Sequence, residues 1–244
     1  MLSGLAAYGL FLGIVFLSLW IVRRRLRYET WYLIHLGMYL AIVLAFDHQL
    51  RLGPAFTSTW AVWFWKSWYW GTIDMLILFR LLRPVFSYWR YDLRVAAIKP
   101  ETSNINSVII EGKGLERLHA KAGQFVIVRF LAKGFWWEAH PFSLSELPSG
   151  QRLRLTIKAL GDFTKRIPQL PIGTRIFLEG PLGVFTSERA KDRPVLMIAG
   201  GIGITPLRSL FEEFSRTGRK VDLLYYARTE TDFALRAELD ALAN

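Results

Sequence analysis

Two histidines, His35 and His48, lie thirteen residues apart in an apolar stretch that runs from about Trp31 to Phe46 and ends at Asp47, His48 and Gln49. An ionisable side chain in such a stretch is costly in lipid, so each is a functional candidate. Imidazole is a good axial ligand for haem iron. On a helix rising about 1.5 Å per residue the pair would stand about 20 Å apart, which suits one haem near each leaflet. On a straight helix, however, the two rings would point about 140° apart. Either the helix contains a kink or π-bulge, or two haems approach from different sides. Histidines hydrogen-bonded between helices would show the same spacing, so spacing alone does not make this a haem helix.

A second constellation begins at Val195-Leu196-Met197-Ile198-Ala199, a continuous apolar run expected of a buried parallel strand. It leads into Gly200, Gly201, Ile202, Gly203, Ile204, Thr205 and Pro206, then into helical text from Leu207 to Ser215. A strand, glycine turn and helix in that order cradle a pyrophosphate: glycines admit the phosphates, and the helix N-terminus offers N–H donors and a positive dipole end. Thr205 reads as the N-cap and Pro206 as the first helical residue. A tight structural turn is the competing reading. Arg228, just past a second apolar strand at Val221 to Ala227, stands where a 2′-phosphate would be read, which leans toward NADPH, with a solvated surface arginine as the competing reading.

These groups need elements to position them, and composition divides the chain. Hydrophobic residues make up 52% and aromatics 15% of the 244 residues, and the excess falls before about residue 90. Three spans are expected, at about 5–22, 31–48 and 59–82. The net charge of +11 gathers at Arg23, Arg24, Arg25 and Arg27, then at Arg80, Arg83 and Arg90. That placement fits cytoplasmic flanks of membrane spans against anionic lipid rather than nucleic acid. Positive charge follows the first span instead of preceding it, which excludes a secretory signal and sets the N-terminus outside. The cluster Trp60, Trp63, Trp65, Trp68, Tyr69 and Trp70 reads as an interfacial belt rather than an electron wire. Without cysteine there are no disulfides, iron–sulfur clusters or thiolate zinc sites. Residues 91–190 read as short alternating strands of an antiparallel β-barrel, and 191–244 as the N-terminal part of an α/β nucleotide-binding domain. The expected fold is thus multi-domain: transmembrane α-helices, then barrel, then partial α/β domain.

Taken together, these segments resemble the ferric reductase and NADPH oxidase family over nearly the full length. Tyr28-Glu29-Thr30-Trp31 with His35, Tyr39 and His48 resembles that family's fifth transmembrane helix, in which two histidines with the same spacing bind two stacked haems. Gly123-Gln124-Phe125, His140-Pro141-Phe142-Ser143, Lys158 to Thr164 and Gly180-Pro181-Leu182-Gly183 resemble its ferredoxin-reductase-type FAD barrel. Gly200 to Pro206 is similar to its nicotinamide-nucleotide turn. The resemblance implies that Phe142 and Ser143 lie against the isoalloxazine with the serine near N5. It implies that His140, Lys158 and the stretch Gly161, Asp162 and Thr164 hold the FAD diphosphate. His119 matches no motif and reads as a surface residue.

The implied activity carries electrons from cytoplasmic NAD(P)H through FAD to haem b at His35, then at His48, and on to ferric chelate or O2 outside. The cofactors carry the chemistry, so no catalytic side chain is named. The implied setting is an integral protein of a plasma or bacterial inner membrane. The family has six spans and pairs its haem ligands between the third and fifth, whereas this chain shows only equivalents of the fourth to sixth. The second haem ligands must then come from missing helices or a partner subunit, and the chain reads as a fragment or a split subunit. A haem-free flavin reductase tethered by its helices and an inert truncated scaffold are the rival readings.

Overall fold

A computed structural model describes residues 2–19, 24–25, 28–52, 58–191 and 193–243. The chain divides into two compact units, Met1–Leu78 and Phe79–Asn244. Arg23, Arg27 and the last residues of the expected first span lie outside the described residues.

The first unit is helical. Helix α1 spans Leu2–Ser18, α2 Tyr28–Leu52 and α3 Thr59–Leu76, and a π-helical segment, Ile77–Leu82, continues α3. Helices α1 and α2 run antiparallel, since Gly4 meets His48 while Ser18 meets His35. Large apolar side chains such as Leu5, Phe16, Leu40, Val43, Trp60 and Trp68 are exposed on all three. Among the described residues one helix, Thr30–Leu50, is long and apolar enough to cross a membrane by length and composition. Leu2–Ser18 is apolar but shorter. Of the three expected spans the second meets that test, the first runs into residues outside the described ones, and Lys66 and Asp74 lower the apolar character of the third.

The second unit opens with α4, Arg83–Tyr91, which packs on the barrel and so groups with it rather than with the preceding helices. Strands β1 Arg94–Thr102, β2 Ile105–Glu111 and β5 Arg152–Lys158 form one antiparallel sheet. Strands β4 His140–Ser143, β3 Phe125–Phe130 and β6 Ile176–Leu182 form another. Single bridges, Arg94 to Arg175 and Leu144 to Leu155, join the sheets at both sides, so six strands close into the expected barrel. Alternation along β3 sends Val126, Val128 and Phe130 inward, where they meet Val108, Ile110, Leu155, Ile176 and Leu178.

Beyond the barrel, β7 Val195–Gly200 and β8 Val221–Tyr226 pair in parallel. They are joined through α6, Ile204–Arg216, and followed by α7, Arg236–Ala243. Met197 and Ala199 pack with Leu207, Leu210 and Phe211. The other face of the pair, with Leu196, Ile198, Leu224 and Tyr226, is exposed. The run at 195–199 is therefore covered on one face only among the described residues, not on both as its composition suggests.

Candidate functional site

The site grows from the short strand β4. It pairs with β3 along its length, with Val126 opposite Phe142 and Val128 opposite His140. It meets β5 only at the bridge beyond its end, so residues 140–143 present an open strand edge. Pro141, lacking an N–H, is tolerated at such an edge. His140 and Phe142 share the face of the buried valines, and the His140 ring reaches the Phe163 ring at 4.1 Å. Phe163 is itself held in the barrel core by Phe130 and Phe135. Glu138 holds His140 from the other side, its Oε2 at 3.2 Å from Nε2, while its Oε1 accepts from Arg166 Nη2 at 3.1 Å.

Phe163 belongs to the one-turn helix α5, Asp162–Lys165, so these contacts bring the His140–Ser143 strand and the Gly161–Thr164 turn together. The Thr164 hydroxyl accepts from the N–H groups of Leu160 at 2.9 Å and Gly161 at 3.0 Å. It thus shapes the turn from inside. Lys158 lies at the end of β5 with Nζ 3.8 Å from Asp232 of the nucleotide half. His119 is exposed and remote from these contacts.

The glycine turn at 200–203 sits at the carboxyl edge of the parallel pair. A 3-10 turn, Gly201–Gly203, leads into α6 with Gly203 as N-cap. The helix therefore starts one residue before Thr205, and Pro206 is its third residue, not its first. Thr205 is buried, and its hydroxyl donates to the Ile202 carbonyl at 3.1 Å. The proline ring still fits because its position lies within the first turn, where N–H groups have no helical acceptor.

What the glycines meet separates a structural turn from a cradle. A Cβ at Gly123 would fall 2.0 Å from the Phe185 carbonyl oxygen, and φ there is +81°; the fold itself demands that glycine. A Cβ at Gly161, Gly200 or Gly203 would meet no atom within 4 Å, and none of the three has positive φ. Among the described residues nothing fills that space, as is also true at Gly173 and Gly218, so the turns leave room for a group approaching from outside. Gly201 differs, its φ of +51° favouring glycine by conformation alone. Gly200 pairs with Tyr226, so Arg228 lies two residues past the same sheet edge, exposed, beside a pocket lined by Tyr225, Thr229 and Phe233. That edge is where open α/β sheets bind ligands.

Sequence reading missed an ionic network between the halves. Arg154, on the outer wall of the barrel, donates from Nη1 and Nη2 to the Glu238 carboxylate at 2.6 and 2.9 Å. Arg208 Nη2 lies 2.8 Å from the same carboxylate and also pairs with Glu212. Glu212 in turn accepts from the Leu147 N–H at 3.0 Å, and the Gly123 N–H donates to Ser209 Oγ at 3.0 Å. Burial pushes the Glu238 carboxyl up, but the bonds and charges of Arg154 and Arg208 outweigh it and hold it below the usual carboxylate range. Strand alternation puts Arg152 and Arg154 on the outer face of the barrel wall, where α6 and α7 roof Arg154. The available signal was the i, i+4 spacing of Arg208 and Glu212, which Glu212 and Arg216 repeat on the same helix.

In the helical unit, His35 and His48 both face α1. Ser18 Oγ stands 3.4 Å from His35 Nδ1, and Trp31 stacks on that ring. A Cβ at Gly4 would fall 2.7 Å from the His48 ring, whose buried Nδ1 has no hydrogen-bond partner. An orphaned imidazole nitrogen in an apolar setting is chemically suited to metal ligation. Each level offers one imidazole, since the remaining histidines, His119 and His140, belong to the barrel unit. Among the described residues no group of three or more potential ligands forms a metal site.

Comparison with known proteins agrees with the geometry of the second unit. Residues 92–186 match an FAD-binding domain family and residues 197–244 an oxidoreductase NAD-binding domain family. A flavohemoprotein of Chromobacterium violaceum is 32% identical over 171 residues, covering 65% of this chain and 42% of that protein. The sulfhydrogenase 2 subunit gamma of Pyrococcus furiosus is 30% identical over 158 residues, covering 62% and 54%. Dual oxidase 2 of Homo sapiens is 27% identical over 167 residues, covering 62% of this chain and 11% of that protein. The chain thus spans about half or less of the length of these relatives. Among solved structures, the FAD/NAD-binding domain of nitric oxide dioxygenase from Vibrio cholerae superposes with a TM-score of 0.53 at 19% identity, covering 62% of this chain and 68% of that one. The cytochrome b5 reductase domain of Ulva prolifera nitrate reductase gives 0.52 at 20% identity, covering 64% and 69%. The chain therefore carries an FAD-binding barrel followed by an oxidoreductase NAD-binding region, in the ferredoxin-reductase arrangement.

Proposed function

We propose that this chain belongs to a membrane-bound oxidoreductase of the ferric reductase and NADPH oxidase type, passing electrons from cytoplasmic NAD(P)H through FAD to haem and then to an acceptor outside, either ferric chelate or O2. The observation that carries the reading is the pairing, in one unit, of an open strand edge at His140–Ser143 with two glycine turns that nothing in the chain occupies. The apolar helix Thr30–Leu50, which bears His35 and His48, supports the membrane part.

A bound flavin takes two electrons from a nicotinamide and passes them on singly, which is the chemistry that this family of reductases exploits. The residues here bind and orient. His140, fixed between Glu138 and Phe163, places a ring N–H or lone pair at the rim of the strand edge. Phe142, half-buried against the barrel core, and Ser143, on the other face of the strand, flank the open edge that a flat ring system would meet. Lys158 would offset the charge of a diphosphate and the N–H groups that follow Gly161 would donate to it, and Gly200 to Ile204 at the N-terminus of α6 would hold the second nucleotide in the same way. Arg228 favours NADPH by pairing with a 2′-phosphate. His35 and His48 would each hold a haem through an imidazole nitrogen, with the second ligands supplied by further helices or a partner subunit.

A second reading, a haem-free flavin reductase tethered by its helices, is supported by the likeness to the sulfhydrogenase 2 subunit gamma, which stands beside that to dual oxidase 2. Cofactor stoichiometry of the purified full-length protein separates the two. The first reading expects FAD and haem together, whereas flavin without iron porphyrin leaves the tethered reductase.

A further inference from the structure

Helix α4 has two faces. Its inner face docks on the barrel: Tyr91 is buried, the Tyr88 hydroxyl accepts from Arg175 Nη1 at 2.9 Å, and the Tyr88 ring lies 6.4 Å from Phe177 of β6. Its outer face is apolar and uncovered. Val85, Phe86 and Trp89 fall within an arc of about 100° on the helical wheel, and Leu82 precedes them at the same spacing. All four are exposed, Phe86 at 62% and Trp89 at 70%. Along the chain this stripe directly continues the exposed residues Ile77, Leu78 and Phe79.

The patch extends over the barrel wall. Phe177 is the cross-strand partner of Arg129, whose Nη1 donates to the Trp136 carbonyl at 3.2 Å. Trp136 and Trp137 are exposed and packed edge to face in the β3–β4 connection. Beside the stripe on α4 the charge is basic, while on the barrel wall Arg129 stands with the carboxylates Glu179 and Glu138. Arg90 stands 5.7 Å from the Phe86 ring, Lys133 is exposed, and α4 contains no acidic residue. The adjacent carboxylate, Asp92, is already paired with Arg94 and Arg175.

We propose that α4 lies in the surface of an anionic bilayer, with Val85, Phe86 and Trp89 in the headgroup region and Trp136–Trp137 beside it, so that the flavin barrel is seated on the membrane. Tryptophan and arginine flanking a short apolar stripe, continuous along the chain with Ile77, Leu78 and Phe79, match the chemistry of a lipid interface. The inference rests on the membrane reading above and adds to it the surface that sets the barrel against lipid.

These 244 residues contain no cysteine, so once any cysteine elsewhere in the full-length protein is replaced by serine, single spin labels report without background. Phe86→Cys and Trp89→Cys carry the label in the full-length protein, reconstituted in discs of phosphatidylcholine with or without phosphatidylglycerol. Val43→Cys on α2 and Ile172→Cys on the barrel are references, and Val85→Cys replaces either test site if that variant loses flavin. Labels at 86 and 89 are expected to collide with oxygen severalfold more than with a water-soluble nickel chelate, as at 43 and unlike 172. That preference should strengthen when phosphatidylglycerol is present. If 86 and 89 behave like 172 while 43 reports lipid, the seating is wrong and the membrane reading survives. Labels shielded from both reagents would mean that protein covers the face, which equally overturns it. If 43 also reports water, the membrane reading itself has failed.

Discussion

The ring of His140 rests 4.1 Å from the ring of Phe163, and that contact ties the strand edge that would meet a flavin to the turn that would hold its diphosphate. Phe163 is buried in the barrel core. Phe163→Ala is expected to cost about 3–5 kcal/mol through cavity formation and to reduce bound flavin in the fraction that remains folded. Thermal unfolding followed alongside flavin absorbance checks both; retained flavin at reduced stability would show that the contact serves packing only.

Gly203→Ala and Gly161→Ala test the cradles. Neither new methyl group meets an atom of the chain, so stability should change by less than about 1 kcal/mol. Gly203→Ala should raise the KM for NAD(P)H about tenfold, corresponding to about 1.4 kcal/mol, and Gly161→Ala should weaken FAD to a similar degree. Gly123→Ala is the contrasting case, because its methyl would strike the Phe185 carbonyl, and it should fold poorly. Unchanged kinetics in the first two variants would return both turns to the structural reading.

Arg228→Ala addresses nucleotide choice. The side chain is exposed, so stability should stay within about 0.5 kcal/mol. The KM for NADPH is expected to rise about tenfold while that for NADH stays put. Equal effects on both nucleotides would remove the 2′-phosphate role.

Glu238 governs how firmly the two halves of the second unit hold together, and the sign of its pH dependence follows from its lowered pKa. The stabilisation is complete above the ordinary carboxylate value of 4.5 and is lost as pH falls through the lower folded value. Breaking a buried pair costs about 3–5 kcal/mol. Because the Glu238 side chain is 37% exposed, Glu238→Gln should cost roughly 1–3 kcal/mol at neutral pH. It should also flatten the acid limb of the stability profile. An unaltered acid limb in the variant would assign the acid response to other carboxylates.

Much of the barrel and nucleotide half was legible because strand periodicity and glycine turns are local signals. The run at 195–199 gave its strand, and Gly200 to Gly203 gave the turn before α6. The helix start was misplaced by the appeal of Thr205 as a cap, a role that Gly203 takes while the threonine hydroxyl bonds backward to Ile202. The Arg154–Glu238 pair joins residues 84 apart, and no local pattern announces a contact at that range. The apolar face of α4 was hidden for a different reason: its neighbours Arg83 and Arg90 read as an ordinary basic flank until Tyr88 and Tyr91 were seen to dock on the barrel. His35 and His48 were legible as residues, but their shared orientation toward α1 depends on how that helix packs.

The central claim is most directly tested by adding NADPH, without oxygen, to the full-length protein in its native membrane and following the visible spectrum. The account predicts that flavin bleaches first and a bis-imidazole haem is then reduced. In His35→Ala or His48→Ala the haem signal should fall while flavin reduction persists. Complete flavin reduction in a preparation that contains no haem would contradict it.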